Sequence, residues 1–78
     1  MYFEILKAEY LQDYKIALTF KDGKQGAVDL AEYLGKNDVF KAFEDITFFK
    51  GFRIEYGTLV WGDGSVDLAP ETLYQKAK

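Results

Sequence analysis

Leu59-Val60-Trp61-Gly62-Asp63-Gly64-Ser65-Val66-Asp67-Leu68-Ala69-Pro70-Glu71-Thr72-Leu73-Tyr74 reads as a strand, an Asp-Gly reversal, a second short strand and a helix opened by proline. It has a counterpart upstream. Phe20-Lys21-Asp22-Gly23, followed by Val28-Asp29-Leu30-Ala31, repeats the order aromatic, any residue, Asp-Gly, spacer, Val-Asp-Leu-Ala. The two stretches together define an internal pseudo-repeat of an Asp-Gly hairpin plus Val-Asp-Leu-Ala. Structural roles follow for Asp22 and Gly23, Asp63 and Gly64, Asp29 and Asp67, and for Trp61, Pro70 and Tyr74.

Outward from these stretches, residues 3–11 form a strand with imperfect alternation, as a bulge would leave it. Gln12-Asp13 makes a short reversal. Tyr14, Ile16, Leu18 and Phe20 then alternate with Lys15, Ala17, Thr19 and Lys21, the period of a strand buried on one face. Asp22-Gly23 is the preferred pair for a tight type I′ hairpin, which needs positive φ at both central residues, and a third strand runs from Lys24 to Val28. Asp29 stands three residues before Glu32, the spacing of a capping box, and Gly35 ends that short helix. Asn37 or Asp38 caps a second helix carrying Val39, Phe40 and Phe43 on one face. Thr47 to Gly51 is a turn crowded with Phe48 and Phe49. Phe52 to Tyr56 is a fourth strand broken by Gly57, Leu59 to Trp61 a fifth, and Val66 to Leu68 a short sixth. Pro70 suits the first turn of a last helix, because its missing N–H costs nothing there. The economical arrangement is a single α+β domain over 1–78: a mixed, mainly antiparallel sheet of five to six strands with two to three short helices on one face.

Composition narrows the function classes. Seven Phe, six Tyr and one Trp make 18% of the chain aromatic, more ring area than one small core easily hides, so some rings belong at an interface. Without cysteine there is no disulfide, thiol nucleophile or thiolate metal site. The first residues carry no basic leader, and apolar runs fall far short of the ~20 residues that span a bilayer; the expected setting is cytoplasmic. A net charge of −3 with scattered lysines gives no positive stripe, so direct nucleic-acid binding is not expected.

Chemistry is sparse by the same reading. No histidine is present to act as a general base near neutral pH, and Ser65 has no activating neighbour in the sequence. Neither a G-x-G-x-x-G nor a P-loop pattern occurs, so no cofactor is expected. Asp29 and Asp67 could hold a hard cation if the two copies packed about a pseudo-two-fold. Turn and cap chemistry accounts for the same acids without a metal. No catalytic residue is assigned. Phe48 and Phe49, adjacent in a turn, cannot both point inward easily; with Tyr33 they are the expected partner interface.

The run Tyr14 to Leu30 and the run Leu59 to Tyr74 resemble a bacterial family known as domain of unknown function 2442. The resemblance rests on Phe20-Lys21-Asp22-Gly23, Val28-Asp29-Leu30, Val39-Phe40, Phe48-Phe49, Trp61 and Asp67-Leu68-Ala69-Pro70-Glu71-Thr72-Leu73-Tyr74. It implies a small gene beside another small uncharacterised one, in the manner of a toxin–antitoxin pair, and in some versions fusion to a helix-turn-helix. No such appendage occurs within these residues, so operator binding is not expected. The resulting expectation is a non-enzymatic, regulatory or antitoxin-like partner of another small bacterial protein, which could also pair with a copy of itself. The alternatives are a metal-binding fold or metal-assisted hydrolase using the duplicated aspartates, and an accessory domain of a transcriptional regulator.

Overall fold

The clean alternation of residues 14–21 becomes strand β2 (Lys15–Phe20) in the computed structural model, which describes residues 3–35 and 38–77. Ile16, Leu18 and Phe20 are buried, while Lys15, Ala17 and Thr19 are half-covered on the opposite face. Antiparallel neighbours β1 (Ile5–Gln12) and β3 (Gln25–Asp29) complete a three-stranded sheet in the order β1-β2-β3. In β1, Ile5 faces Phe20 but Lys7 faces Thr19, and the register slips again between Tyr10 and Gln12. Each slip leaves one leucine out of phase with the pleat. Leu6 is 60% exposed and Leu11 47% exposed as a result.

Strands β4 (Arg53–Glu55), β5 (Thr58–Trp61) and β6 (Val66–Leu68) form a second antiparallel sheet in the order β4-β5-β6. The expected single sheet of five to six strands is therefore corrected to two sheets of three. The physical reason lies where the sheets meet. The Ile5 N–H donates to the Gly57 carbonyl at 3.0 Å, so β1 is met by the tip of the β4–β5 hairpin and no ladder forms there.

The segment between the sheets is tightly wound. A 3₁₀ helix covers Leu30–Tyr33 and a second covers Asp38–Glu44; the capping role expected of Asn37 lies outside the described residues. Thr47 to Gly51 is not a bare turn, because Ile46–Lys50 is helix α1. Its cap is Asp45, whose carboxylate accepts from the Thr47 N–H at 3.0 Å and the Phe48 N–H at 3.4 Å. Helix α2 (Pro70–Lys76) begins at the proline, as its ring geometry favours.

The first hairpin turn departs from its expected type. At Asp22-Gly23 the Gly23 N–H donates to the Phe20 carbonyl at 2.9 Å, and the Phe20 N–H to the Lys24 carbonyl at 2.8 Å. Only Gly23 has positive φ there, 97°, which is a type I turn followed by a glycine bulge and not type I′. The two-residue loop with positive φ at both positions is Tyr56-Gly57, at 53° and 78°, joining Glu55 to Thr58.

The two Asp-Gly reversals share local geometry. The Gly64 N–H donates to the Trp61 carbonyl at 3.1 Å, as Gly23 does to Phe20, and Asp63 accepts from the Ser65 N–H at 3.0 Å, as Asp22 does from Lys24 at 2.9 Å. They part company afterwards: Leu30 opens a 3₁₀ helix, whereas Val66, Asp67 and Leu68 are the whole of β6.

Between the sheets lies an aromatic core. Trp61 packs against Phe43 at 4.7 Å between ring centroids and stacks on Phe49 at 5.9 Å. Phe49 in turn meets Tyr14 edge-on at 4.8 Å, and the Tyr14 hydroxyl donates to the Phe43 carbonyl at 2.8 Å. Fully buried rings each remove a large apolar area from water, and edge contacts of this kind add about 0.5–1.5 kcal/mol beyond area.

Candidate interaction surface

Of the three rings expected at an interface, Phe49 is fully buried, which corrects that expectation. The winding of α1 is the cause: with Asp45 capping the helix, Phe48 and Phe49 point in different directions, and Phe49 fills the space beneath Trp61. Phe48 is half-buried, close enough to Gly62 that a Cβ there would stand 3.2 Å from its ring. Tyr33 is also half-buried, tilted on Phe40 at 4.8 Å with the Lys76 ammonium 5.4 Å from its ring centroid. Both are engaged within the fold.

The structural aspartates sit at exposed positions. The Asp29 carboxylate accepts from the Ala31 N–H at 3.0 Å, and Asp67 faces outward from β6 opposite Val60. These two acids belong to different sheets, and among the described residues no group of three or more acids could hold a metal ion.

Asp22 does more than form a turn. Its second oxygen accepts from the Tyr74 hydroxyl at 2.5 Å, while the Lys24 ammonium lies 4.2 Å from the Tyr74 ring centroid and donates to the Tyr74 carbonyl at 2.8 Å. The Tyr74 hydroxyl, with the Lys24 N–H, holds the Asp22 carboxyl below the usual carboxylate range. The same bond to Asp22 pushes the Tyr74 phenol upward. Asp63 is lowered by the Ser65 hydroxyl and N–H, and Lys76 is raised by its ion pair with Glu32. The Asp63 shift arises within its own turn, whereas those of Asp22, Tyr74 and Lys76 come from fastening one surface element to another.

The residues that the alternation pattern did not single out are the exposed ones. Tyr56 is 102% exposed at the hairpin tip, with φ of 53°, a backbone conformation costly for a bulky side chain. Its neighbour Gly57 touches the start of β1, where a Cβ would meet Glu4 Cγ at 2.8 Å. Leu6 and Leu11 project from the same strand, and Ile46 is 39% exposed at the start of α1. Two signals could have found them: the out-of-phase leucines of residues 3–11, and a Tyr-Gly pair between two short strands.

Beside Leu6, the outer face of the first sheet holds a shallow hollow of about 360 Å³. Lys7 and Glu9 of β1, Ala17 and Thr19 of β2, and Gln25 and Gly26 of β3 are among the residues that line it. The outward side chains of β1 thus run Lys7 then Glu9, and those of β4 run Arg53 then Glu55, with Arg53 Nε 2.5 Å from the Glu55 carboxylate.

The family model described as Protein of unknown function (DUF2442) matches residues 5–78. No curated protein matches the chain, and no solved structure does. No helix among the described residues is long and apolar enough to cross a membrane.

Proposed function

The chain belongs to the family described as Protein of unknown function (DUF2442), whose description assigns no activity, and we propose that it is a non-catalytic interaction module. In this reading it is a regulatory or antitoxin-like partner of another small bacterial protein. The observation that carries it is the placing of large apolar side chains outside the fold: Leu6 and Leu11 on β1, and Tyr56 on the hairpin that abuts β1. Single exposed leucines need no explanation, but three such residues along one strand and its neighbour form the kind of anchor that partner proteins bury. The titratable groups with displaced pKa values support the same reading, since each is displaced by a turn, a clasp or an ion pair at the surface and not by confinement in a cleft.

Photo-crosslinking in the native host tests this. A crosslinkable residue at Leu11, and separately at Tyr56, is expected to trap one protein in stoichiometric yield, whereas the same probe at Asp67 traps none. If that protein arrests growth when expressed alone and co-expression relieves the arrest, the antitoxin-like role follows. Absence of any stoichiometric crosslink at both probe positions overturns the reading.

A further inference from the structure

The outer edge of β1 carries main-chain groups without a partner among the described residues. In the first sheet, β2 reaches β3 through its even-numbered residues: the Phe20 N–H donates to the Lys24 carbonyl and the Leu30 N–H to the Tyr14 carbonyl, in one continuous register. Its odd-numbered residues therefore turn to β1, where Thr19 faces Lys7 and Ala17 faces Glu9. The N–H and C=O groups of Ala8 and Tyr10 consequently point away from β2. On that side the Ile5 N–H is taken by the Gly57 carbonyl, whereas no described residue bonds the main chain of Ala8 or Tyr10. At eight residues against six and five, β1 is also the longest strand of its sheet, and a long bare edge is a template for another strand.

The side chains flanking those groups select which strand can use them. Lys7 and Glu9 are exposed, and among the described residues neither side chain has an ion pair or hydrogen bond. Charges on an edge discourage a strand that leaves them unmatched. A second β1 matches them. Two antiparallel copies bring their outward main-chain groups together where Ala8 meets Ala8, Ala8 meets Tyr10, or Tyr10 meets Tyr10. With Ala8 opposite Ala8, Lys7 faces Glu9 of the other copy and Glu9 faces its Lys7. With Ala8 opposite Tyr10, Glu9 faces Glu9, a like-charged pair. With Tyr10 opposite Tyr10, Glu9 faces Leu11 and Lys7 runs past the end of the strand. Of these registers the first alone pairs both charges, and symmetry makes it do so twice. The pairing consumes the β1 edge of both copies, so the assembly closes at two.

We infer that the bare edge of β1 pairs with β1 of a second copy of this chain, antiparallel and centred on Ala8, joining the first sheets of two molecules across a two-fold axis. The new ladder is short, because the register slips between Ile5 and Lys7 and between Tyr10 and Gln12 bound it. The inference rests on the interaction-module reading and specifies one of its contacts. It leaves Leu11, Tyr56 and Ile46 outside the ladder for a different partner.

Sedimentation velocity over micromolar to millimolar concentrations tests it. The wild-type chain is expected to show a concentration-dependent monomer–dimer equilibrium. K7E and E9K each turn two attractive pairs into two like-charged ones and should weaken self-association about tenfold. The double variant K7E/E9K should recover most of that loss. An equimolar mixture of the two single variants should associate as a heterodimer, since both facing pairs are then opposite in sign. A8P removes an N–H that β2 does not use, so its circular dichroism should match wild type while its association disappears. Should A8P unfold, the charge variants alone decide. A wild type that stays monomeric overturns the inference, as does a folded A8P that dimerises like wild type. Failure of both the double variant and the mixture to recover association overturns it equally, because the register centred on Ala8 requires that recovery. A monomeric wild type that still crosslinks another protein through Leu11 or Tyr56 removes the dimer and leaves the module reading standing, whereas loss of those crosslinks together with the dimer removes both.

Discussion

The indole N–H of Trp61 donates to the main-chain carbonyl of Phe49 at 2.7 Å, and both side chains are wholly buried. The last carbonyls of a helix have no intrahelical partner. Phe49 lies in the final turn of α1, so the hairpin strand β5 closes a helix end that water cannot reach. Replacing Trp61 by Phe removes the donor and leaves space beside Phe43. Urea denaturation should show a loss of about 2–4 kcal/mol, the sum of an unsatisfied buried acceptor and a partly filled cavity.

Gly57 and Gly23 both have positive φ, yet they should respond differently to alanine. A Cβ on Gly23 meets nothing within 4 Å, whereas one on Gly57 would stand 2.8 Å from Glu4 Cγ and 3.0 Å from Glu4 Cβ. Gly23→Ala should therefore cost about 1 kcal/mol, the conformational penalty alone. Gly57→Ala should cost at least about 2 kcal/mol, because the hairpin tip must also retreat from β1. Parallel denaturant titrations compare the two directly.

Asp45 holds the first turn of α1 through two N–H groups. Asp45→Ala should destabilise the chain by about 1 kcal/mol. Amide exchange should rise first at Thr47 and Phe48, the two donors it frees.

The clasp between Asp22 and Tyr74 gives stability a predictable dependence on pH. Asp22 titrates lower in the fold than its ordinary value of 3.8, so it binds fewer protons than the unfolded chain. Its contribution is complete above that ordinary value and is lost as pH falls through the lowered one. Tyr74 titrates above its ordinary 10.0, so its contribution is complete below that value and is lost as pH rises through the raised one. Lys76, raised by Glu32, adds to the alkaline limb in the same direction. Thermal melts against pH should show Asp22→Asn flattening the acid limb and Tyr74→Phe flattening both. An unchanged acid limb in Asp22→Asn would show that the clasp does not couple to folding.

Much of this architecture was legible, and its errors have definite causes. Strand β2 was readable because one face is buried and the other wet, which forces strict alternation at residues 14–21. Helix α2 was readable because a helix tolerates proline only in its first turn, so Pro70 marks where the helix begins. The split into two sheets was not, since nothing local marks that the Ile5 N–H bonds a hairpin tip instead of a strand. Phe49 was misplaced because adjacent rings look incompatible with burial in an extended turn; an α-helix sends them about 100° apart. The missed signal was Asp45 ahead of Thr47, an ordinary helix-capping pattern. Tyr56 was counted with the fourth strand, although a Tyr-Gly pair between two short strands marks a hairpin tip; β4 ends at Glu55 and leaves the ring in solvent.

Tyr74 stacks edge-on against both Phe3 and Phe20, at 4.7 Å and 4.9 Å. The earliest and latest parts of this segment to leave the ribosome therefore share one cluster. During synthesis the first sheet must wait, with Phe20 uncovered, until nearly all of the downstream chain has emerged. Closure of this cluster therefore waits on residues near position 74, and a nascent chain short of them leaves Phe3 and Phe20 without that ring against them.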